Sequence, residues 1–417
     1  MSLPMDVLFM ISDAMKKRLC FLLCILLSCI AEVSSQEVFR YRKSSLYSIM
    51  LKHENLEFCE ELVNCFNKIP IPEKFNDHNL PIRVFMAGIR EVEKGENASS
   101  QKTYIDALLK QNAIARRLVA KWYNRSKDGA CNLDLITERG YCNVLADDVA
   151  KQKHTFGTQS DLILSTGEEL IGHTYVLVND IEYVDKRAKK EERMSVAIAV
   201  GNAVPVVGMM TLGAAGILAH EYSGFEVNVT SYLYRLCWDT DVQNAFYVHY
   251  YTEKADQAKK TAFNKEKELF TLEYVGCQTV QSQNVSLKGI DDREQQIRKV
   301  CTRAIDKSIA QLQKNHPEFR VRTPLTSVSP ITAQIGLRED VTENSLYEVL
   351  KVFPQSDGRI TYKRVATIKP KKNAIWDNRY MAESEDDYNS SIQATEFELV
   401  SGSIPYEGLL IREIDVD

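Results

Sequence analysis

Residues 195–219 form an apolar run of 25 residues without a formal charge, and the way this run is buried limits every fold open to the chain. A spanning helix needs about 20 apolar residues, so the length suffices. The texture is wrong for an ordinary span, because Gly201, Gly208, Gly213, Gly216, Pro205 and a series of alanines replace the usual Leu and Phe. Small residues let backbones approach closely in membranes. They do the same in a buried helical hairpin, with Gly201-Asn202 or Pro205 as the break. Lys186, Arg187, Lys189, Lys190 and Arg193 precede the run, and His220 and Glu221 follow it. The positive-inside rule then sets the N-terminal flank in the cytoplasm, whereas an export signal at the front of the chain sets it outside. This contradiction favours a helical insertion over a true span. Such an insertion packs on protein, or lies against a membrane or partner through Val204, Val206, Met209, Met210 and Leu212.

The export signal is the clearest local feature. Lys16-Lys17-Arg18 leads into the apolar stretch 19–30 and then into the small polar exit Val33-Ser34-Ser35, with residues 1–14 as an over-extended start. Cleavage after Ser35 satisfies the small-residue rule. The competing reading is a lipoprotein signal, in which Leu26-Leu27-Ser28-Cys29 resembles a lipobox and Cys29 carries lipid. Either one sends the chain to the periplasm, the outer membrane or the exterior.

Of ten cysteines, Cys20, Cys24 and Cys29 fall in the signal, leaving an odd seven and no complete disulfide framework. Cys131 and Cys142 are spaced to pair. Cys59 and Cys65, six apart on a helix, face different ways. A formal charge of −5, with no basic patch interleaved with aromatics, excludes nucleic acid as the expected partner.

Periodicity predicts an α+β architecture: a mixed α/β unit over 36–185 and 223–280, interrupted by a charged helix and the apolar insertion at 186–222. A helical connector at 281–329 and a small all-β barrel or sandwich at 330–417 follow. Within the first unit the pattern predicts a strand at 44–50, a helix at 55–66, and an extended segment through Ile69-Pro70-Ile71-Pro72, where two prolines forbid helix. A short strand at 83–87 and a polar loop at 95–100 follow. Next come a single long helix at 103–123 with Trp122 as a core anchor, a helix at 133–138 ended by Gly140, and another at 145–154. The run 174–183 is apolar on both faces at Val176, Leu177 and Val178, which marks a central strand. After the insertion, 225–233 and 270–275 read as strands, and the aromatic stretch 246–251 between them reads as core or interface packing in preference to a glycan platform. A helix at 291–315 is stopped by Pro317. The β unit is five strands, at 331–336, 346–353, 360–368, 396–400 and 409–414, with a hairpin turn at Asp357-Gly358.

Chemistry is sparsely marked. No phosphate loop, dinucleotide fingerprint, zinc-protease or nucleophile-elbow motif is present, and no cofactor or metal is implied. Asp239-Thr240-Asp241 begins like a calcium loop but lacks its Gly and terminal Glu. The acidic loop 383–387 reads as solvated. Asn76, Asp77 and His78 are the one polar cluster of catalytic type, and a hydrogen-bonded turn accounts for them more simply.

Several stretches together resemble an uncharacterised secreted family of Bacteroidota. They are Ser44-Ser45-Leu46-Tyr47, the segment 69–78, Leu118-Val119-Ala120-Lys121-Trp122-Tyr123-Asn124-Arg125, Glu138-Arg139-Gly140-Tyr141, 174–180, Ile375-Trp376-Asp377-Asn378-Arg379-Tyr380 and Leu409-Leu410-Ile411-Arg412-Glu413-Ile414. The resemblance implies export and no particular activity. More loosely, the order of elements is similar to envelope proteins of the curli-secretion and flagellar-ring type, a likeness of fold alone. The expectation is an exported cell-envelope or surface protein that acts by self-association or by binding other envelope proteins. An exported hydrolase using Asn76, Asp77 and His78 is the alternative.

Overall fold

The computed structural model describes residues 43–54, 58–87, 98–144, 159–185, 223–286, 293–354, 360–385 and 388–415. Ser35, Cys29, the helix expected at 145–154, the 195–219 run with its contact residues, and the Asp357-Gly358 turn lie outside them. Among the described residues no helix is long and apolar enough to cross a membrane.

The chain folds as α+β around two sheets. The first runs β2–β1–β4–β5–β6, with β3 also on β1. Its strands are β1 (Ser45–Lys52), β2 (Asn76–Asp77), β3 (Val84–Met86), β4 (Thr174–Asp185), β5 (Ser223–Leu236) and β6 (Leu272–Ser286). β1 is parallel to β2, β3 and β4, while β4, β5 and β6 are antiparallel neighbours. β4 is central, as its two-faced apolar sequence requires: Val176 and Val178 enter one core, and Tyr175, Leu177 and Ile181 the other.

Helices cover both faces. On one lie α1 (Cys59–Asn67) and the 23-residue α8 (Arg293–Asn315), which buries Ile297, Val300, Ala304, Ile305, Ile309 and Leu312 along one stripe. On the other lie α2 (Ala98–Gln111), α3 (Ile114–Trp122), α4 (Asp134–Val144), α5 (Gln159–Ile171), α6 (Thr240–His249) and α7 (Gln257–Lys265).

Three expectations are corrected here, and one aromatic stretch is placed. The single helix at 103–123 is two helices that break at Ala113, whose φ of 50° is left-handed. No Gly or Pro announces the break; it lets α3 bury Ile114, Leu118, Val119 and Trp122 completely. The first turn of α2 takes up residues 98–100, which the sequence assigns to a loop. Gly140 does not end α4 but allows it to cross α5 in near contact: a Cβ there would stand 2.1 Å from the carbonyl oxygen of Ile163, and one on Gly167 2.2 Å from that of Ile136. The aromatic stretch at 246–251 is the end of helix α6 and the turn after it, with Phe246 at the centre of a cluster of rings that includes Tyr123, Trp238, Tyr247, Phe263 and Phe270.

The second sheet is antiparallel and its pairing closes on itself in the order β10–β11–β8–β7–β12–β9. The strands are β7 (Thr323–Val328), β8 (Ile331–Ala333), β9 (Leu346–Pro354), β10 (Ile360–Pro370), β11 (Thr395–Gly402) and β12 (Leu410–Ile414). Five correspond to the strands expected. β7 does not, because Pro324 and the serines and threonines around it mask its single deeply buried residue, Leu325. The small core holds Tyr347, Val349, Ala366, Ile368, Phe397 and Ile411. Ion pairs from Arg338 to Asp306, Lys314 to Asp340, and Lys299 and Arg303 to Glu385 fasten this ring of strands to α8. Glu385 of the acidic loop is therefore engaged by cations.

Candidate functional site

The structure does not gather Asn76, Asp77 and His78 into one cleft. Asn76 and Asp77 form β2 on the edge of β1, with the Asp77 carboxylate on the surface accepting from the Asn79 amide at 2.8 Å. His78 is fully buried, its ring 5.0 Å from that of Trp122. Its Nε2–H donates to the carbonyl of Leu118 at 3.1 Å, and its Nδ1 accepts from Arg139 Nη1 at 2.9 Å. Burial, then the Arg139 charge, push its pKa well below the usual histidine range. Both ring nitrogens are used, so His78 works as a bolt between β2, α3 and α4. Cys131 is a free thiol, and Asp239 is the N-cap of α6, accepting from the amides of Asp241 and Val242. Among the described residues no cluster of three His, Cys, Asp or Glu side chains could hold a metal ion.

The break at Ala113 makes a site instead. The C-terminal turn of α2, the first turn of α3 and the ends of β5 and β6 enclose a cleft of about 660 Å³, closed on its far side by the segment after α7. Leu109, Ile114, Phe270 and Leu272 supply an apolar floor. Tyr234 and Tyr274 stand edge to face with centroids 5.4 Å apart, and Lys102 Nζ lies 5.0 Å from the Tyr274 ring. The Tyr234 hydroxyl donates to Asp106 Oδ1 at 2.8 Å, and Lys102 Nζ to Oδ2 at 2.6 Å. Arg116 points back across the cleft, with Nη1 donating to the carbonyls of Phe263, Asn264 and Glu266 at the C-terminal end of α7. Glu266 accepts from the Tyr250 hydroxyl at 2.6 Å and from the amides of Glu268 and Leu269 at 2.8 and 2.9 Å.

These contacts fix protonation states. Burial raises the phenols of Tyr234 and Tyr274 above the ordinary tyrosine range, so both stay protonated. The Tyr250 bond and the two amides bring Glu266 down to about 2, so it stays ionised. Four cations, Lys102, Lys110, Arg116 and Lys267, face the carboxylates of Asp106 and Glu266, and Glu268 just outside the cleft pairs with Lys110 at 3.0 Å, which leaves one cation in surplus. The cleft therefore offers apolar contact below and surplus positive charge at the rim, and suits a ligand that combines an apolar face with an acidic group.

The sequence gives little warning of this site. Its walls come from positions more than a hundred residues apart, brought together by tertiary contacts such as Tyr234 to Asp106 and Arg116 to the end of α7. The one local trace is Lys102 and Asp106 on one face of α2.

Fold and cleft together define an α+β protein with a basic-rimmed, ligand-sized cavity. No protein-family model matches the chain, and no curated protein matches it significantly.

Proposed function

We propose that the chain is an exported cell-envelope or surface protein that acts by binding, and that the cleft at the α2–α3 break receives an acidic ligand with an apolar face. The observation that carries this reading is the pairing of an apolar floor with a surplus of one cation in a cavity of about 660 Å³. The states of its phenols and of Glu266 support binding over chemistry, since proton transfer is most efficient from groups tuned near the working pH. The signal-like segment and the resemblance to a secreted Bacteroidota family support export. A hydrolase built on Asn76, Asp77 and His78 draws no support from a buried histidine with both nitrogens occupied.

Titration of the protein with oligogalacturonate and with its fully methyl-esterified form, followed by tyrosine fluorescence, tests the cleft. Binding of the acidic form, weakened by Lys110→Glu and Lys267→Glu, is expected. Equal response to both forms, or indifference to both charge reversals, overturns the reading. Cell fractionation with N-terminal sequencing of the product tests export: recovery in the cytoplasm with residues 1–35 intact counts against it.

A further inference from the structure

We infer that a second concavity, between α3, the loop after it and α7, is a binding site for a phosphate- or sulfate-type oxyanion. It measures about 370 Å³ and is lined by five cations, Arg116, Arg117, Arg125, Lys127 and Lys260, and by no carboxylate. It is a neighbour of the first cleft through Arg116 but does not depend on the function assigned there.

The loop is built to hold these charges together. α3 ends at Trp122, Asn124 adopts a left-handed φ of 42°, and the chain turns back with Gly129 N–H donating to Ser126 O at 3.1 Å and Ser126 N–H to Ala130 O at 2.8 Å. Gly129 has φ 96°, and a Cβ on it would stand 2.8 Å from that of Lys260, so only glycine lets the turn close on α7. That closure sets Lys127 and Lys260 on one rim.

Two of the five cations are committed to the frame. Arg116 holds the end of α7. Arg125 lies 4.3 Å over the Phe263 ring and donates to the carbonyls of Tyr250 and Lys259 at 2.9 and 3.4 Å. Arg117, Lys127 and Lys260 have no carboxylate partner among the described residues. Of the carboxylates whose charge reaches this cluster, Asp128 is engaged by the Ser126 hydroxyl and the Ala130 amide. Glu266 is engaged by Tyr250 and the amides of Glu268 and Leu269. Arg117, Lys127 and Lys260 line one concave surface with the charge of Asp128 alone beside Lys260, which leaves a net positive local field that a compact, multiply charged anion would neutralise.

Calorimetric titration of the intact protein with inorganic pyrophosphate, inorganic phosphate, sulfate and glucose 6-phosphate, against chloride at matched ionic strength, is the test. Saturable binding of at least one probe is expected, weakened about tenfold for each of Arg117→Gln, Lys127→Gln and Lys260→Gln. Lys363→Gln and Lys372→Gln, exposed on the second sheet and its following turn, should leave it unchanged. Glucose 6-phosphate binding above inorganic phosphate assigns a sugar-borne group, and the reverse assigns the free anion. No saturable binding, an equal response to chloride, or wild-type affinity in the triple variant overturns the inference. If the triple variant does not fold, Lys127→Gln alone, on an exposed loop, decides by the same criterion.

Discussion

Arg338 clasps Asp306 with two bonds, Nε to Oδ2 at 2.9 Å and Nη2 to Oδ1 at 3.0 Å, and so joins the closed ring of strands to the long helix beneath it. Lys74 and Glu339 pair beside them at 3.6 Å. Burial raises the Asp306 pKa and lowers that of Lys74, which shows how little water reaches this network.

Removing one partner strands a buried charge. Arg338→Leu or Asp306→Leu should each cost about 3–5 kcal/mol in urea unfolding, while the double variant should recover more than half of the summed loss. Additive losses in the double-mutant cycle would show that the pair does not act as a unit.

Gly167→Ala separates propensity from packing. In an isolated helix alanine is favoured over glycine by about 1 kcal/mol, but here its Cβ would meet the Ile136 carbonyl at 2.2 Å. We expect a loss of about 2 kcal/mol or more, from overpacking and displaced backbone. A stabilised variant in thermal melts would mean that α4 and α5 do not cross at these glycines.

His78 should make the protein acid-sensitive. Its native pKa lies well below the ordinary 6.5, so beneath that pH the unfolded chain takes a proton that the native state refuses. Its contribution is therefore complete above pH 6.5 and is lost as pH falls, by up to about 1.4 kcal/mol per unit. His173, lowered to about 4 chiefly by burial, acts in the same direction. Comparison of wild type with His78→Gln between pH 7 and pH 5 isolates the first. The variant should be less stable at pH 7 and show a shallower decline, and equal slopes would refute the buried neutral state.

Glu266 gives a second, lower window. Held at about 2 against an ordinary 4.5, first by Tyr250 and then by backbone amides, it stabilises the native state above pH 4.5 and loses that effect as pH falls toward 2. Glu266→Gln should remove this part of the acid limb when unfolding is followed by tyrosine fluorescence. An unchanged acid limb would place the bond to Tyr250 outside the native ensemble.

Much of the fold is legible in the sequence because it rests on local pattern. Val176, Leu177 and Val178 announce a central strand, the stripe from Ile297 to Leu312 announces α8, and alternation reveals five of the six strands in the closed ring. The idiosyncratic segments have structural work that no pattern discloses. Trp376 and Asn378 contact Gly336 and Arg338 backbone groups, and Asn378 also bonds Glu339. Arg139 joins Ser45, Asp77 and His78. His78 looks catalytic in sequence because a polar triplet carries no record of what will bury it.

The sequence by itself determined the α+β class, the absence of helix at the double-proline segment and the long helix, since each follows from periodicity or a fixed backbone angle. Only the tertiary structure decided the break at Ala113, the glycine crossing of α4 and α5 and the two basic concavities. Each of these depends on which distant surfaces meet, and burial free energy gathered across the whole sheet outweighs the small local preferences that a sequence displays.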